Sequence, residues 1–186
     1  MKCNFYLELT PVNFDVYSNI MLLLHHFNRQ NSNNKIAVAF PQMREGARRT
    51  MGTTIRFWND DAMLLNQLKD RLMALKVGRC SNVLARPDTI EEYVAYRHFK
   101  VPSRNTKGTA EQNQKSAEKR MEKIEICGQL PYINISSRST GQNFPLNIEK
   151  NVAAGAQSCG ALDSYGLSSS NAMHLPSWTP KNFGLM

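Results

Sequence analysis

The run Cys3-Asn4-Phe5-Tyr6-Leu7-Glu8-Leu9-Thr10-Pro11 places apolar side chains at every second position, at Cys3, Phe5, Leu7 and Leu9. A two-residue period marks a strand with one buried face, and Pro11, lacking an amide hydrogen, ends it. Beyond it the period changes. Val16, Ile20, Leu23, Leu24 and Phe27 recur at helical spacing behind Asn13 or Asp15 as a cap, and the asparagines at 31, 33 and 34 end that helix. Residues 35–40 read as a second strand ended by Pro41, and a basic, glycine-containing loop follows with Arg44, Arg48 and Arg49. Residues 53–58, β-branched and aromatic, read as a third strand. Asp60 or Asp61 caps a second helix whose stripe is Met63, Leu64, Leu68, Leu72 and Leu75. Residues 77–84 supply a fourth strand, made irregular by Gly78 and Arg79.

Strand, helix, strand, strand, helix, strand is the split βαβ order, so the chain is expected to be α+β, with residues 1–86 as a ferredoxin-like (βαββαβ) domain. Many RNA-binding modules share that order, but fold alone assigns no function. The aromatic signature of an RNA-recognition motif is missing from Gly52-Thr53-Thr54-Ile55-Arg56-Phe57-Trp58, which argues against base stacking on the sheet face.

Composition narrows the partners. In 186 residues, 41% are hydrophobic, enough for a real core, while a net charge of +8 calls for a polyanion, either nucleic acid or an anionic surface. The longest apolar run, residues 20–24, is far too short to span a bilayer, and no secretory leader is evident. Cys3, Cys80, Cys127 and Cys159 are widely spaced, reading as reduced structural thiols with neither a zinc site nor a disulfide framework. The expectation is a soluble, cytoplasmic, basic protein.

After Pro87 the character shifts, and residues 87–186 are expected to form a C-terminal region of their own. Residues 93–108 interleave aromatics with cations, among them Tyr93, Tyr96, Arg97, His98, Phe99, Lys100, Arg104 and Lys107. Residues 109–125 then read as a helix that Thr109 can cap. Advancing 100° per residue gathers Lys115, Lys119, Arg120 and Lys123 on one side. Ala110, Ala117, Met121 and Ile124 gather on another, and Glu111, Glu118 and Glu122 on a third. Such a helix can rest on the body by its narrow apolar stripe and hold phosphates along its cationic face; the alternative is a solvated helix laced with Glu–Lys pairs. Next comes the loop 136–143, Ser136-Ser137-Arg138-Ser139-Thr140-Gly141-Gln142-Asn143, rich in donors and acceptors but without a strong acid, base or soft metal ligand. Alternation on either side, through residues 132–135 and then Phe144, Leu146 and Ile148, predicts two strands pairing around it. Residues 153–160 read as an exposed loop, 164–168 as a short strand or turn, and the remainder as a Ser/Asn/Pro-rich tail.

The common catalytic fingerprints are missing: no Walker loop, no H-E-x-x-H, no G-x-S-x-G. Four histidines remain. His25 and His26 fall on the polar border of the first helix, where an isolated histidine is ordinarily a surface residue. Imidazole nevertheless trades protons best near neutrality, with a reference pKa of about 6.5. RNA brings its own nucleophile, so one histidine with hydroxyl donors suffices to cut it without a metal.

Leu24-His25, Ile36-Ala37-Val38-Ala39-Phe40-Pro41, Ser137-Arg138-Ser139-Thr140-Gly141-Gln142-Asn143-Phe144 and Ser164-Tyr165-Gly166-Leu167-Ser168 occur in this order. Together they resemble the type I-F (Csy-type) CRISPR repeat endoribonuclease over nearly the whole chain. The resemblance implies metal-free, cofactor-free cleavage at the base of the repeat hairpin, giving a 2′,3′-cyclic phosphate. It further implies an enzyme that stays on the crRNA hairpin as a subunit of the type I-F surveillance complex (Cascade). On this resemblance His25 is the general base, Ser137 holds the ribose beside Ser139, and Tyr165 orients the histidine. Gln142 lies in the same loop and Phe144 stacks on the base next to the cut. Arg97, Lys100, Arg104 and Lys107 would touch RNA near the base of the stem, and Lys115, Lys119, Arg120 and Lys123 would enter its major groove. The departures are lysines where the family helix is dense in arginine, and a second histidine at 26. Leu24-His25-His26-Phe27-Asn28 and the run from Asn143 to Ile148 look closer to versions carried by transposons, which would add a transposition-targeting protein as partner. The competing readings are a hairpin-binding subunit that has lost cutting, and a basic membrane-surface or ribosome-associated protein.

Overall fold

The computed structural model describes residues 3–103, 107–136, 141–153, 161–169 and 173–178. It is α+β, with two antiparallel sheets and three helices. In the first sheet β1 (Phe5–Pro11) lies between β3 (Ile55–Asn59) and β4 (Gly78–Cys80), and β2 (Ala37–Ala39) closes the far side of β3. The two-residue period of the first strand sets its faces. Leu7 and Leu9, with Ile55 and Phe57 on β3, are fully buried on one face, towards α2 (Ala62–Ala74), which packs in turn on α1 (Tyr17–Gln30). Tyr6 and Glu8 point the other way, directly opposite Trp58 and Arg56.

The helices start by different means. Asp61 caps α2, its Oδ1 accepting from the amides of Met63 and Leu64. α1 has Val16 at its N-cap and no side-chain cap; Asn13 closes the preceding turn, accepting from the amides of Asp15 and Val16. Two stripe residues expected inside are outside. Met63 is 74% exposed at the first turn of α2 and Leu75 is 50% exposed as its C-cap, while Leu65 takes the buried position instead. A helix end has no neighbouring turn to shelter it, so the period overreaches there.

The expected fourth strand breaks in two. After Cys80 pairs with Leu9, Ser81 and Asn82 bulge outward, and β5 (Leu84–Ala85) resumes against Tyr6 and Phe5 with its register slipped by one residue. Ser81 bridges the gap: its amide donates to the Glu8 carbonyl and its Oγ accepts from the Glu8 amide.

The second sheet runs β7 (Tyr132–Ser136), β8 (Asn143–Ala153), β6 (Glu92–His98), β9 (Leu175–Ser177). β7 and β8 pair around the hydroxyl-rich loop as expected, from Tyr132 opposite Asn147 to Ser136 opposite Asn143. Two of its strands correct the sequence reading. Residues 92–98 are a central strand, with Val94, Ala95 and Tyr96 consecutively buried, so no alternation betrays it. Residues 175–177, tail-like in composition, form β9 because β6 offers them an open edge.

One apolar core runs through both sheets, from Leu7 and Phe57 to Ile148 and Leu175. Hydrogen bonds stitch them: Tyr96 Oη donates to the Phe40 carbonyl (3.0 Å), Val38 N to the Gly166 carbonyl (2.9 Å), and Lys35 Nζ to the Leu162 carbonyl (2.8 Å). Trp178 lies over the outer face of the first sheet, edge-on to Tyr6 and Trp58, with the Arg56 guanidinium carbon 3.7 Å from its ring centre.

α3 (Ala110–Cys127) begins with a full capping box: Thr109 Oγ1 accepts from Gln112 N, and Gln112 Oε1 from Thr109 N. The expected apolar seat is not there. α3, described over its whole length, buries no residue, and Met121 is 63% exposed. A few apolar side chains in a strongly charged helix are too few to outweigh ordering it against the body.

Candidate active site

α1 turns its apolar stripe inward through Ile20, Leu24 and Phe27, which leaves His25 half-buried at the edge and His26 exposed. Asn28 fixes the helix's rotation. Fully buried, it donates from Nδ2 to the Ile36 carbonyl (2.9 Å) and accepts from the Ile36 amide (2.8 Å), tying the last turn of α1 to the approach to β2.

Against His25 lies Tyr165. Their rings stack with centres 4.6 Å apart and planes 28° off parallel, whereas His26 meets His25 edge-on at 5.4 Å. Tyr165 is held there by a tight turn. Asp163 Oδ1 accepts from the amides of Tyr165 (2.8 Å) and Leu167 (3.0 Å), and Asp163 N donates to the Leu167 carbonyl. Gly166 sits at φ +74°, and a Cβ on it would stand 2.5 Å from the Ile36 carbonyl oxygen, so the turn fits against β2 only with glycine there.

The electrostatics favour a neutral imidazole. Burial, with smaller contributions from the charges of His26 and Arg29, lowers the His25 pKa from its ordinary 6.5. Nδ1 is buried without a hydrogen-bond partner. Burial and the Asp163 charge raise the Tyr165 phenol, which stays protonated. Burial also raises Asp163, against the lowering effect of its two amide donors and of Lys100 and Lys35.

Ser137, Ser139 and Arg104 lie outside the described residues. The loop's base is described: Ser136 Oγ donates to Asn143 Oδ1 (2.5 Å), Gln142 is exposed, and Phe144 is half-buried opposite Ile135. β7, from which the loop springs, packs along α1. Arg97 stands on β6 with Nε 3.9 Å from Glu149 Oε2, and Lys100 is exposed just beyond that strand. Burial and the Lys100 charge bring His98 down to about 4, so it too is neutral near pH 7. Lys107 is exposed two residues before the α3 cap. On α3, Lys115 pairs with Glu111 (2.7 Å), Lys119 is exposed, Arg120 is half-buried, and Lys123 Nζ is 5.8 Å from the Phe99 ring centre.

Asn28, Asp163 and Gly166 escaped the sequence reading. Asn28, an amide on the apolar side of a helix, was the readable signal; Asp163 before Ser-Tyr-Gly has the composition of an Asx turn.

No curated protein matches the chain. Residues 12–178 match the family described as CRISPR-associated protein (Cas_Csy4), a span that takes in α1, the hydroxyl-rich loop, the Tyr165 turn and Trp178. With nine-tenths of its length covered and both halves of the His25–Tyr165 pair inside the match, the chain belongs to the Cas_Csy4 family of type I-F CRISPR-associated proteins, which work on repeat RNA.

Proposed function

We propose that the chain is a metal-independent endoribonuclease that cuts CRISPR repeat RNA at the base of its hairpin and stays bound to the 3′ hairpin of the product within the surveillance complex. The observation that carries this reading is the half-buried His25 imidazole stacked on Tyr165 at 4.6 Å, its pKa lowered by burial, in a protein of this family. His25 takes the proton of the ribose 2′-hydroxyl, the freed oxygen attacks the adjacent phosphorus, and the 5′-oxygen leaves and picks up a proton. The products are a 2′,3′-cyclic phosphate and a 5′-hydroxyl. Ser137 holds the ribose with Ser139 and Gln142 beside it, and Phe144 stacks on the neighbouring base. Tyr165 restricts the tilt of the imidazole, so its nitrogen is presented without a search through rotamers. The antiparallel order β2-β3-β1-β4 supports the ferredoxin-like reading of residues 1–86, with residues 87–186 as the RNA-binding part.

The test is incubation with a panel of RNA hairpins in EDTA, with the 3′ ends of the products read by mass spectrometry. A cyclic phosphate formed in EDTA is the expected result. Binding without cutting would leave the non-catalytic hairpin subunit, and activity abolished by EDTA would mean a different chemistry.

The cationic face of α3 holds RNA phosphates in this reading. Replacing Lys119 and Arg120 together by alanine is expected to weaken hairpin binding and to flatten its dependence on salt by about one unit of log–log slope for each phosphate the helix no longer neutralises. An unchanged slope in mobility shifts would return α3 to the role of a solvated helix laced with pairs such as Glu111–Lys115.

A further inference from the structure

The start of α1 carries a second feature that the cutting reaction does not use. Phe14, Tyr17, Ser18, Met51, Tyr132 and Asn134 line an open groove of about 320 Å³ between the first turn of α1 and β7. Phe14 and Tyr132 also wall the adjoining space, of about 300 Å³, where Arg49 enters. Both rings face solvent, Phe14 at 61% and Tyr132 at 45% exposure, an unusual outlay of aromatic surface in water.

The rings are braced. Phe14 stacks on Tyr17 at 5.8 Å, and Tyr17 is pinned by its hydroxyl, which donates to the Gly52 carbonyl (2.7 Å). The Arg49 guanidinium lies 5.4 Å from the Tyr132 ring centre and reaches the Gly128 carbonyl, while Gly46 N donates to the Gln129 carbonyl. The basic loop with Arg44, Arg48 and Arg49 is therefore held against the end of α3. The start of α1 closes on itself beside the groove, the Tyr17 amide donating to the Phe14 carbonyl and the Val16 amide to Asn13 Oδ1. One carboxylate, Asp15, also lines it.

Exposed, sequence-indifferent aromatic faces beside a cation are how proteins hold single-stranded nucleic acid. The groove is also continuous with the candidate active site. Ser18 and His25 share one helix about 10 Å apart at 1.5 Å per residue, and β7 runs from Tyr132 to Ser136, where the hydroxyl-rich loop begins. We propose that this groove receives the single-stranded RNA that continues 3′ of the cut, stacking its bases on Phe14 and Tyr132 with a phosphate at Arg49. The proposal rests on the endoribonuclease reading above. It adds that the enzyme grips precursor through the strand it will release, and product through the hairpin alone.

The test uses a stem–loop that the protein binds, drawn from the hairpin panel, in three forms: ending at the base of the stem, with six uridines 3′, and with six uridines 5′. A 2′-deoxy sugar at the cut prevents turnover. For the wild type, the 3′ extension is expected to tighten binding about tenfold and the 5′ extension to do little. Phe14→Ala and, separately, Tyr132→Thr should each remove most of that gain while leaving the bare stem–loop affinity unchanged, with thermal melting confirming that both fold. Photocrosslinks from 4-thiouridine in the 3′ extension should fall on the peptides holding Phe14 or Tyr132. Equal affinity for all three forms in the wild type, or crosslinks confined to α3, would overturn the groove while leaving hairpin recognition standing. Absence of any stem–loop binding would instead overturn the endoribonuclease reading and the groove with it. Variants that keep all RNA affinities but no longer co-purify with other subunits would reassign the groove to a protein partner.

Discussion

His25→Ala is expected to abolish detectable cleavage of the repeat hairpin while leaving its affinity within a few-fold. A positioned general base is worth about 10²–10⁴ in rate, and no other described group stacked on the Tyr165 turn can replace it. The pH dependence sharpens the test. A base must be unprotonated to act, so the rate should rise with pH through the His25 pKa and then level off. Burial and the charges of His26 and Arg29 lower that pKa, so the acid limb should have its midpoint below 6.5 and the rate should be flat near neutrality. Removing the His26 charge with His26→Ala should move the limb upward without abolishing cutting. Single-turnover assays across pH decide it. Unchanged cutting by His25→Ala, or an acid limb centred above about 7, would take this imidazole out of the mechanism.

The second large effect is on stability. Arg56 is fully buried, its Nε and Nη2 donating to Glu8 Oε1 at 2.9 and 2.6 Å, its carbon 3.7 Å from the Trp178 ring centre and 5.5 Å from that of Tyr6. Its Nη1 is buried without a partner, so the guanidinium is already short of acceptors. Glu8→Ala strands the charge. Breaking a buried pair from one side costs about 3–5 kcal/mol, and because the Glu8 side chain is 23% exposed the lower end applies. Urea unfolding should show a lowered midpoint at constant slope. Adding Arg56→Met to Glu8→Ala should recover much of the stability, since an apolar side chain needs no counter-charge. A cost below about 1 kcal/mol for Glu8→Ala would mean that the aromatic rings alone hold the guanidinium.

These two sites differ in how far they could be read ahead. His25 stood at the edge of a helical stripe, and Ser-Tyr-Gly-Leu-Ser was readable as a turn, so both partners were in view separately. The Arg56 site was not. Arg56 lay unremarked in a run read only as a β-branched and aromatic strand, and Trp178 in one read as a tail, because a cation buried under a distant ring obeys no local period. The central strand β6 was hidden for a related reason: three consecutive buried residues show no alternation when both faces are covered. α3 failed in the opposite sense. Its Thr109 cap and most of its length were legible because they depend on neighbours in the chain, but its apolar stripe met no surface to cover it.

The periods and breaks that set most of the first sheet's strands and all three helices, and the caps of α2 and α3, were written in the chain itself, since they depend on residues a few positions apart. So was the family, carried by the resemblance of four short runs. Folding in three dimensions was needed to lay Tyr165 on His25, to set through Asn28 the turn of the helix presenting it, and to close Trp178 over Arg56. Those pairings join segments far apart in the chain, and what selects them is the shared burial of a single core, a property no window of neighbouring residues contains.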